Sequence, residues 1–240
     1  TADKVEAIRK AVGDDMDIMV DAHGPPWFNA KDAIIVGKSL EQFNLLFYED
    51  PVPPDNVDAL RRVQDNVNIP IAAGERHSHI WGVRQLIEEE IVDVIQPDAG
   101  RIGGISQLMK IAAMAEAHYI SVAPHSGSLG PVAEYAAIHV LAAIPNGLIL
   151  ERVHDDVPVR YDLVQPHIET VDGYIQVPDR PGLGVDIDED VVAANPSRGN
   201  TSTPGSPDDG SYEPGTYDEH LYVQTRYRRQ RTLRSPGNGT

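Results

Sequence analysis

Residues 45–51 read Leu-Leu-Phe-Tyr-Glu-Asp-Pro, a short apolar run that ends abruptly in two acidic residues and a proline. A run of this length and composition is typical of a buried β-strand. Five other short apolar runs also end in a cluster of polar or special residues, and helical patterns such as Ala2–Val12, Ile105–Ala117 and Pro131–Ala143 lie between the runs. The six predicted strands are Asp17–Val20, Leu45–Tyr48, Ile69–Ala72, Val92–Ile95, Ile120–Ala123 and Leu148–Leu150.

The polar residues that follow these strands recur at a regular interval of 23 to 28 residues, which is the length of one strand-helix unit. They are Asp21, Glu49, Glu75, Asp98, His125 and Glu151. In a (β/α) barrel the carboxyl ends of all strands face one rim, whereas a doubly wound sheet brings fewer of them together. We therefore predict an α/β fold of the TIM-barrel type. Since a complete barrel has eight strands, we expect about two strands to be missing, before residue 1.

The composition narrows the classes of function. The 240 residues carry a net charge of −17, which argues against a nucleic-acid-binding body. Cysteine is absent, so disulfides and zinc-thiolate sites are excluded, and oxygen or imidazole must hold any metal. Asp (23) outnumbers Glu (14) and Lys is rare (5), which indicates either adaptation to high salt or an ordinary acidic enzyme. No signal peptide or membrane span is evident, so we expect a cytoplasmic location.

The domain organisation follows from changes in composition. We predict a catalytic barrel over residues 1–158, covering about strands 3 to 8 of the complete fold. Residues 159–195 are punctuated by prolines and are predicted to pack outside the barrel. Residues 196–240 begin with a Ser-, Thr-, Pro- and Gly-rich linker and end in a segment with five arginines. That basic end is predicted to be a disordered or docking tail or an edge strand, with nucleic-acid binding as the less favoured alternative.

Asp21, Glu49 and Glu75 follow three successive predicted strands. Neighbouring strand ends lie about 5 Å apart, so three carboxylates there repel one another unless a cation lies between them. Magnesium prefers octahedral oxygen coordination and leaves room for a substrate carboxylate. The three acids therefore predict a site for one Mg²⁺. Taken singly, each acid is equally typical of a helix N-cap or a surface charge.

The ordered series Val-Asp-Ala-His, Tyr-Glu-Asp-Pro, Ala-Gly-Glu-Arg, Gln-Pro-Asp, Ala-Pro-His and Leu-Glu resembles the mandelate racemase subgroup of the enolase superfamily, over about residues 1–190. The resemblance implies a TIM-type (β/α)7β barrel whose three strand-end acids hold magnesium. It also implies that the metal binds the substrate carboxylate and stabilises an enediolate. That family also has an N-terminal capping domain and an early strand with a Lys motif, and since neither precedes Thr1 we expect a longer parent chain. The resemblance implies that the segment 159–195 returns toward that capping domain.

A base is needed to remove the α-proton, and His125 is the candidate because imidazole is neutral near pH 7. Asp98, one unit earlier, is predicted to orient it, and the resemblance implies the same pair. His23 lies two residues after Asp21, so both side chains are predicted to point to one face of the strand. Asp-x-His resembles the acid-sugar dehydratases of the galactonate, gluconate and xylonate type, in which this His protonates the departing 3-hydroxyl. The alternative is that His23 only hydrogen-bonds the substrate.

Four further residues complete the predicted site. The resemblance implies that Glu151 contacts the substrate carboxylate. Arg76, Arg101 and His154 are candidates to bind substrate hydroxyls, although each is equally typical of a solvated loop.

The sequence thus predicts a hydro-lyase of carbohydrate acid catabolism that converts an aldonate to a 2-keto-3-deoxy acid. A 2-hydroxy-acid racemase or epimerase and a catalytically silent relative are the alternatives. The expected partners are a small sugar acid and, in the full-length form, further copies of the chain, with no nucleic acid and no membrane.

Overall fold

The computed structural model describes residues 1–23, 27–126, 130–152 and 158–196. His154 and the predicted tail beyond residue 196 lie outside the described residues. The chain divides into two compact units, the first comprising Thr1–Ala72 and the second beginning at Ala73. Each unit is described by itself below.

The first unit contains three strand-helix steps in which the strands run parallel. Asp21 is aligned with Glu49, and Tyr48 with Ile71, so the sheet order in this unit is β1-β2-β3. Its elements are α1 (Ala2–Val12), β1 (Val20–Asp21), α2 (Ala30–Leu40), a 3-10 turn (Glu41–Phe43), β2 (Tyr48–Glu49), α3 (Val57–Gln64) and β3 (Ile71–Ala73).

Local signals set the helix boundaries of the first unit. α1 has the bounds that the sequence predicts and ends at Gly13, whose φ of 75° suits a residue without a side chain. α2 begins after Asn29, whose side chain accepts a hydrogen bond from the backbone N–H of Asp32. Within α2, a side chain at Gly37 would meet Val67 at 2.8 Å, so the glycine allows the helix to pack closely.

The second unit continues the alternation. Ala73 of β3 accepts a hydrogen bond from Gln96, Val94 is aligned in parallel with Ser121, and the sheet order is β3-β4-β5. Helices α5 and α6 have the predicted bounds, and their buried faces pack with the strands into an aliphatic core. The elements are α4 (His79–Glu88), β4 (Val94–Ile95), α5 (Ile105–Ala117), β5 (Ser121–Val122) and α6 (Pro131–Ala143).

The sixth predicted strand, Leu148–Leu150, differs from the expectation. Gly147 forms a single parallel bridge with Val122, and the N–H of Leu148 donates to the carbonyl of Val122 at 2.8 Å. The segment therefore runs beside β5 without forming a regular ladder. It still brings Glu151 to the end of β5, because the N–H of Glu151 donates to the carbonyl of Pro124 at 3.3 Å.

The segment after residue 158 packs against α6. The hydroxyl of Tyr135 on α6 donates to the carbonyl of Pro166, and Nε2 of His139 lies 2.9 Å from the carbonyl of Leu183. Its strands pair antiparallel, β6 with β9 and β7 with β8. The elements are a 3-10 turn (Pro158–Arg160), β6 (Val164–Gln165), β7 (Thr170–Val171), β8 (Tyr174–Ile175), β9 (Asp186–Ile187) and α7 (Glu189–Ala194). In the ranges that the structure describes, every helix is too short or too polar to cross a membrane.

Candidate active site

A buried carboxylate-imidazole pair lies at the ends of β4 and β5. Nδ1 of His125 is 2.6 Å from Oδ2 of Asp98, and the two side chains are 6% and 0% exposed. Oδ1 of Asp98 also accepts hydrogen bonds from the backbone N–H groups of Gly100, at 2.7 Å, and Arg101, at 3.2 Å. An ionised carboxylate can only accept hydrogen bonds, so the proton of this pair lies on Nδ1 of the imidazole. Asp98 thus fixes both the orientation and the tautomer of His125.

The second nitrogen of His125 faces two further carboxylates. Nε2 lies 3.1 Å from Oε2 of Glu75 and 3.9 Å from Oε2 of Glu151. Glu75 is almost fully buried, whereas the Glu151 side chain is 39% exposed. The carboxylates that follow β3, β4 and the segment beside β5 thus lie around one imidazole.

Electrostatics set the protonation of the pair. Burial lowers the pKa of His125, but the hydrogen bond that its ring donates to Asp98 and the negative charges of Glu75, Glu151 and Asp98 outweigh this effect, so the pKa is raised above 6.5. Burial raises the pKa of Asp98, but the hydrogen bonds from His125 and from the backbone outweigh it, so this pKa is lowered. The two shifts together favour an ionised Asp98 beside a proton-binding imidazole.

Glu75 is held by two arginines that the sequence suggests as substrate ligands. Oε1 of Glu75 lies 3.1 Å from the guanidinium of Arg76 and 3.4 Å from that of Arg101. The preceding Gly74 has a φ of +142°, and a Cβ there would lie 2.9 Å from the backbone nitrogen of Gln96, so only glycine fits this turn. The Arg76 side chain is 6% exposed and the Arg101 side chain 31%. Both arginines therefore offset the charge of a buried carboxylate.

In the first unit, Asp21 and His23 contact each other at the end of β1. The N–H of His23 donates to Oδ1 of Asp21 at 2.7 Å, and the His23 ring lies 3.3 Å from Oδ2. Their side chains are 52% and 39% exposed for His23 and Asp21 respectively. Glu49, aligned with Asp21 across the parallel pair, is buried. The structure thus places two predicted metal ligands at adjacent strand ends.

The donor chemistry of the predicted metal ligands fits a hard divalent cation, since Asp21, Glu49 and Glu75 offer only carboxylate oxygens. Burial of Glu49 and Glu75 is costly unless positive charge compensates them. Over the described residues, however, no group of three or more His, Asp and Glu side chains is close enough to hold a metal ion. The magnesium site therefore remains a proposal.

A second set of charged residues lies next to Ser126, and the spacing of the strand ends does not predict it. Glu134 of α6 is 1% exposed and accepts a hydrogen bond from Nε of Arg152. The guanidinium of Arg160, itself 4% exposed, donates to the carbonyl of Ser126 at 2.7 Å. The available signal is a glutamate in the otherwise apolar run Pro131–Ala143, since a buried acid requires a basic partner.

Known proteins share the sequence pattern and the fold of this chain. The family described as "Enolase C-terminal domain-like" matches residues 1–191. The chain is 39% identical over 198 residues to the D-xylonate dehydratase of Haloferax volcanii, covering 82% of this chain and 47% of that protein. It is 36% identical over 193 residues to the D-mannonate dehydratase CC0532 of Caulobacter vibrioides, covering 80% and 47%. The chain thus spans about half the length of the curated relatives it matches.

A solved structure gives the same result. The mandelate racemase/muconate lactonizing enzyme-like protein of Roseovarius sp. TM1035 superposes with a TM-score of 0.77 at 37% identity, covering 92% of this chain and 50% of that one. The predicted parallel α/β fold of the TIM-barrel type is confirmed, together with the resemblance on which it rests. The family match over residues 1–191 and the identity to these relatives show that the chain belongs to the enolase C-terminal domain-like family.

Proposed function

We propose that the full-length protein containing this chain removes water from an aldonate and releases a 2-keto-3-deoxy acid. The observation that carries the proposal is the buried Asp98–His125 pair, whose Nε2 faces the strand-end carboxylates Glu75 and Glu151. The relatives named as dehydratases of xylonate and mannonate support the same class of reaction.

In this proposal His125 removes the proton from C2 of the substrate. Asp98 keeps the other ring proton on Nδ1, so the lone pair on Nε2 is the basic one. Only the neutral imidazole can accept a proton, so activity should rise as the pH passes the pKa of His125. Because Nδ1 is hydrogen-bonded to the buried Asp98, the imidazole is held in one orientation before the substrate arrives.

His23 is proposed to supply the acid. The C3 hydroxyl leaves as water once it receives a proton from the imidazole, and the electron pair from the broken C2–H bond forms the double bond between C2 and C3. The resulting enol takes up a proton at C3 and loses the proton of its C2 hydroxyl to give the keto acid. With about half of its side chain exposed at the end of β1, His23 is accessible to a substrate.

Asp21, Glu49 and Glu75 are proposed to hold one magnesium ion. When bound, the ion supplies positive charge for the substrate carboxylate and for the charge that develops as the C2 proton leaves. Glu151 is proposed to contact the same carboxylate. Arg101 has the more exposed guanidinium and is the better placed of the two arginines to bind a hydroxyl as well as Glu75. The role proposed for His154 rests on the sequence alone.

The reaction class can be tested with the full-length protein and a panel of aldonates, assayed for keto acids with Mg²⁺ and with EDTA. Magnesium-dependent keto-acid formation from one or two sugar acids is the expected result. Formation of no keto acid from any aldonate would remove the dehydratase assignment.

Two variants separate the proposed acid from the proposed base. His125→Asn should abolish both keto-acid formation and exchange of the C2 hydrogen with solvent deuterium. His23→Asn should abolish keto-acid formation and leave the deuterium exchange, because the base is intact. His118→Asn is the matched control and should retain full activity, since this histidine caps the C-terminal end of α5 and pairs with Glu90. Equal loss of exchange in the His23 and His125 variants would contradict the assigned roles.

Racemisation or epimerisation is the second candidate function, favoured by the name of the Roseovarius relative. The same base would remove the proton, and a second group would return it to the opposite face. Inversion at C2 with deuterium incorporation and no keto acid would support this reaction over dehydration. A catalytically silent relative would give neither product and no magnesium binding by calorimetry.

A further inference from the structure

Ser126 links the end of β5 to Glu151. Its backbone N–H donates to Oε2 of Glu151 at 3.2 Å, and its hydroxyl donates to the backbone carbonyl of the same residue. Ser126 is fully buried and directly follows His125. One serine therefore sets both the backbone and the carboxylate of Glu151, whose Oε2 lies 3.9 Å from Nε2 of His125.

Arg160 binds the backbone carbonyl of Ser126. The guanidinium donates to the carbonyl of Ser126 at 2.7 Å, and the residue is 4% exposed. Hydrogen bonds from charged donors are roughly twice as strong as neutral ones. The N–H of Ser126 faces Glu151 while its carbonyl receives Arg160, so Arg160 restrains the group that orients the Glu151 carboxylate.

Glu134 is the counter-charge that allows this arrangement. Its carboxylate is 1% exposed, with Oε2 3.9 Å from Arg160 and Oε1 accepting from Nε of Arg152. A buried guanidinium without an acidic partner is strongly unfavourable. Arg152 directly follows Glu151 and is fixed further by Thr170, whose hydroxyl lies 2.7 Å from its guanidinium. Glu134 thus anchors Glu151 by two routes, through Arg152 and through Arg160 with Ser126.

We infer that the buried cluster of Glu134, Arg152 and Arg160 positions Glu151 against His125, with Arg160 acting through Ser126. Arg160 is a positioning residue, because the contacts described for it are with the Ser126 carbonyl and the Glu134 carboxylate. The inference rests on the proposed function for its kinetic consequence, but not for its structural one.

The kinetic test compares Arg160→Gln with wild type in the full-length protein. A misplacement of about 1 Å costs about 100-fold in rate, so kcat/KM should fall by about that factor. Arg180→Gln is the matched control: this arginine lies in the same segment, pairs with Asp186 and is about half exposed, and its variant should retain activity within about twofold. Activity of Arg160→Gln equal to the control would overturn the inference.

A double variant separates positioning from general structural damage. If Arg160 acts through Glu151, Arg160→Gln combined with Glu151→Gln should be no less active than Glu151→Gln alone. Multiplication of the two separate losses would overturn the inference. If Arg160→Gln does not fold, Arg160→Lys is tested instead. It keeps the charge beside Glu134 but lacks the planar guanidinium that binds the Ser126 carbonyl, so kcat/KM should still fall, and wild-type activity of the lysine variant would overturn the inference.

A second readout does not depend on activity. In ¹⁵N-serine-labelled protein, the Ser126 amide should shift upfield and exchange faster in Arg160→Gln, as it does in Glu151→Gln, because its hydrogen bond to Oε2 weakens. An unchanged Ser126 amide in the folded arginine variant would overturn the inference. If wild type forms no keto acid but the amide shifts as expected, the proposed function fails and the positioning of Glu151 stands.

Discussion

The strongest single prediction concerns Asp98→Asn in the buried carboxylate-imidazole pair. The carboxylate accepts three hydrogen bonds, from Nδ1 of His125 and from the backbone N–H groups of Gly100 and Arg101. The asparagine oxygen can retain the two backbone bonds, since both go to Oδ1. The amide nitrogen then takes the place of Oδ2 and presents a donor to Nδ1, which also carries a proton. The imidazole must lose that proton or move away.

The magnitude follows from the bonds that remain. A hydrogen bond to a charged group contributes about 1.5 to 3 kcal/mol, and a neutral bond about 1 kcal/mol. Removing the buried charge also removes its desolvation cost, which offsets part of the loss. We therefore expect Asp98→Asn to lower the free energy of unfolding by about 2 kcal/mol where both partners are charged.

The pH dependence gives the prediction its sign. The folded pKa of Asp98 is lowered, so its contribution is present above the ordinary value of 3.8 and is lost as the pH falls through the folded pKa. The folded pKa of His125 is raised, so its contribution is complete below 6.5 and is lost as the pH rises through the folded pKa. The difference between wild type and Asp98→Asn should therefore be largest between about pH 4 and pH 6.5.

The assay is urea unfolding in EDTA at about pH 5.5 and about pH 8.5, with equal slopes required for the comparison. Asp172→Asn is the matched control, because Asp172 is exposed in a hairpin turn with φ of 51°, a conformation that asparagine also adopts. The control should change stability by less than about 0.5 kcal/mol. A loss in Asp98→Asn below about 0.5 kcal/mol at the lower pH, or a loss that grows at the higher pH, would refute the reasoning.

Three further changes test the fold. Gly74→Ala should lower the free energy of unfolding by more than about 2 kcal/mol in urea, because its Cβ would lie 2.9 Å from backbone, whereas Gly13→Ala, with open space around it, should cost about 1 kcal/mol. Asn29→Ala should cost about 1 kcal/mol in thermal unfolding through loss of the α2 cap, and Asn29→Asp should restore most of it. If the acidic composition reflects adaptation to salt, unfolding should require more heat as KCl rises, and loss of stability above about 1 M would contradict that adaptation.

The fold is predictable from sequence where local periodicity determines it. The bounds of α1, α5 and α6 agree with those expected, because each helix carries its own apolar face and termination signals. The strands begin later than predicted and are shorter, since a strand is defined by pairing with neighbours that the local sequence does not contain. The segment at Gly147 illustrates this: it is apolar and lies beside β5, yet it forms one bridge.

The site is predictable to the extent that it depends on spacing. Asp98, His125 and Glu75 meet because each follows a parallel strand by two or three residues, which the sequence shows directly. The orientations of the Arg76 and Arg101 side chains depend on turns that the spacing of the strands does not describe. The sequence therefore does not predict their contacts with Glu75. Neither Glu134 nor Arg160 follows a predicted strand, so the spacing of the strand ends does not predict that they lie close together.

The two sets of charges around His125 differ in what they can do. Glu75 and Glu151 present oxygen atoms to Nε2 and so lie where a substrate would approach. Glu134 instead pairs with Arg160, which binds the carbonyl of Ser126, the residue after His125. Burying a charge that contacts no reacting group costs stability, so we expect such a charge to be retained where it orients a functional side chain. Within the described structure the group restrained is the Glu151 carboxylate, which is bound by Ser126 and adjoins Arg152. This explains why a helix as apolar as α6 carries a buried glutamate in its first turn.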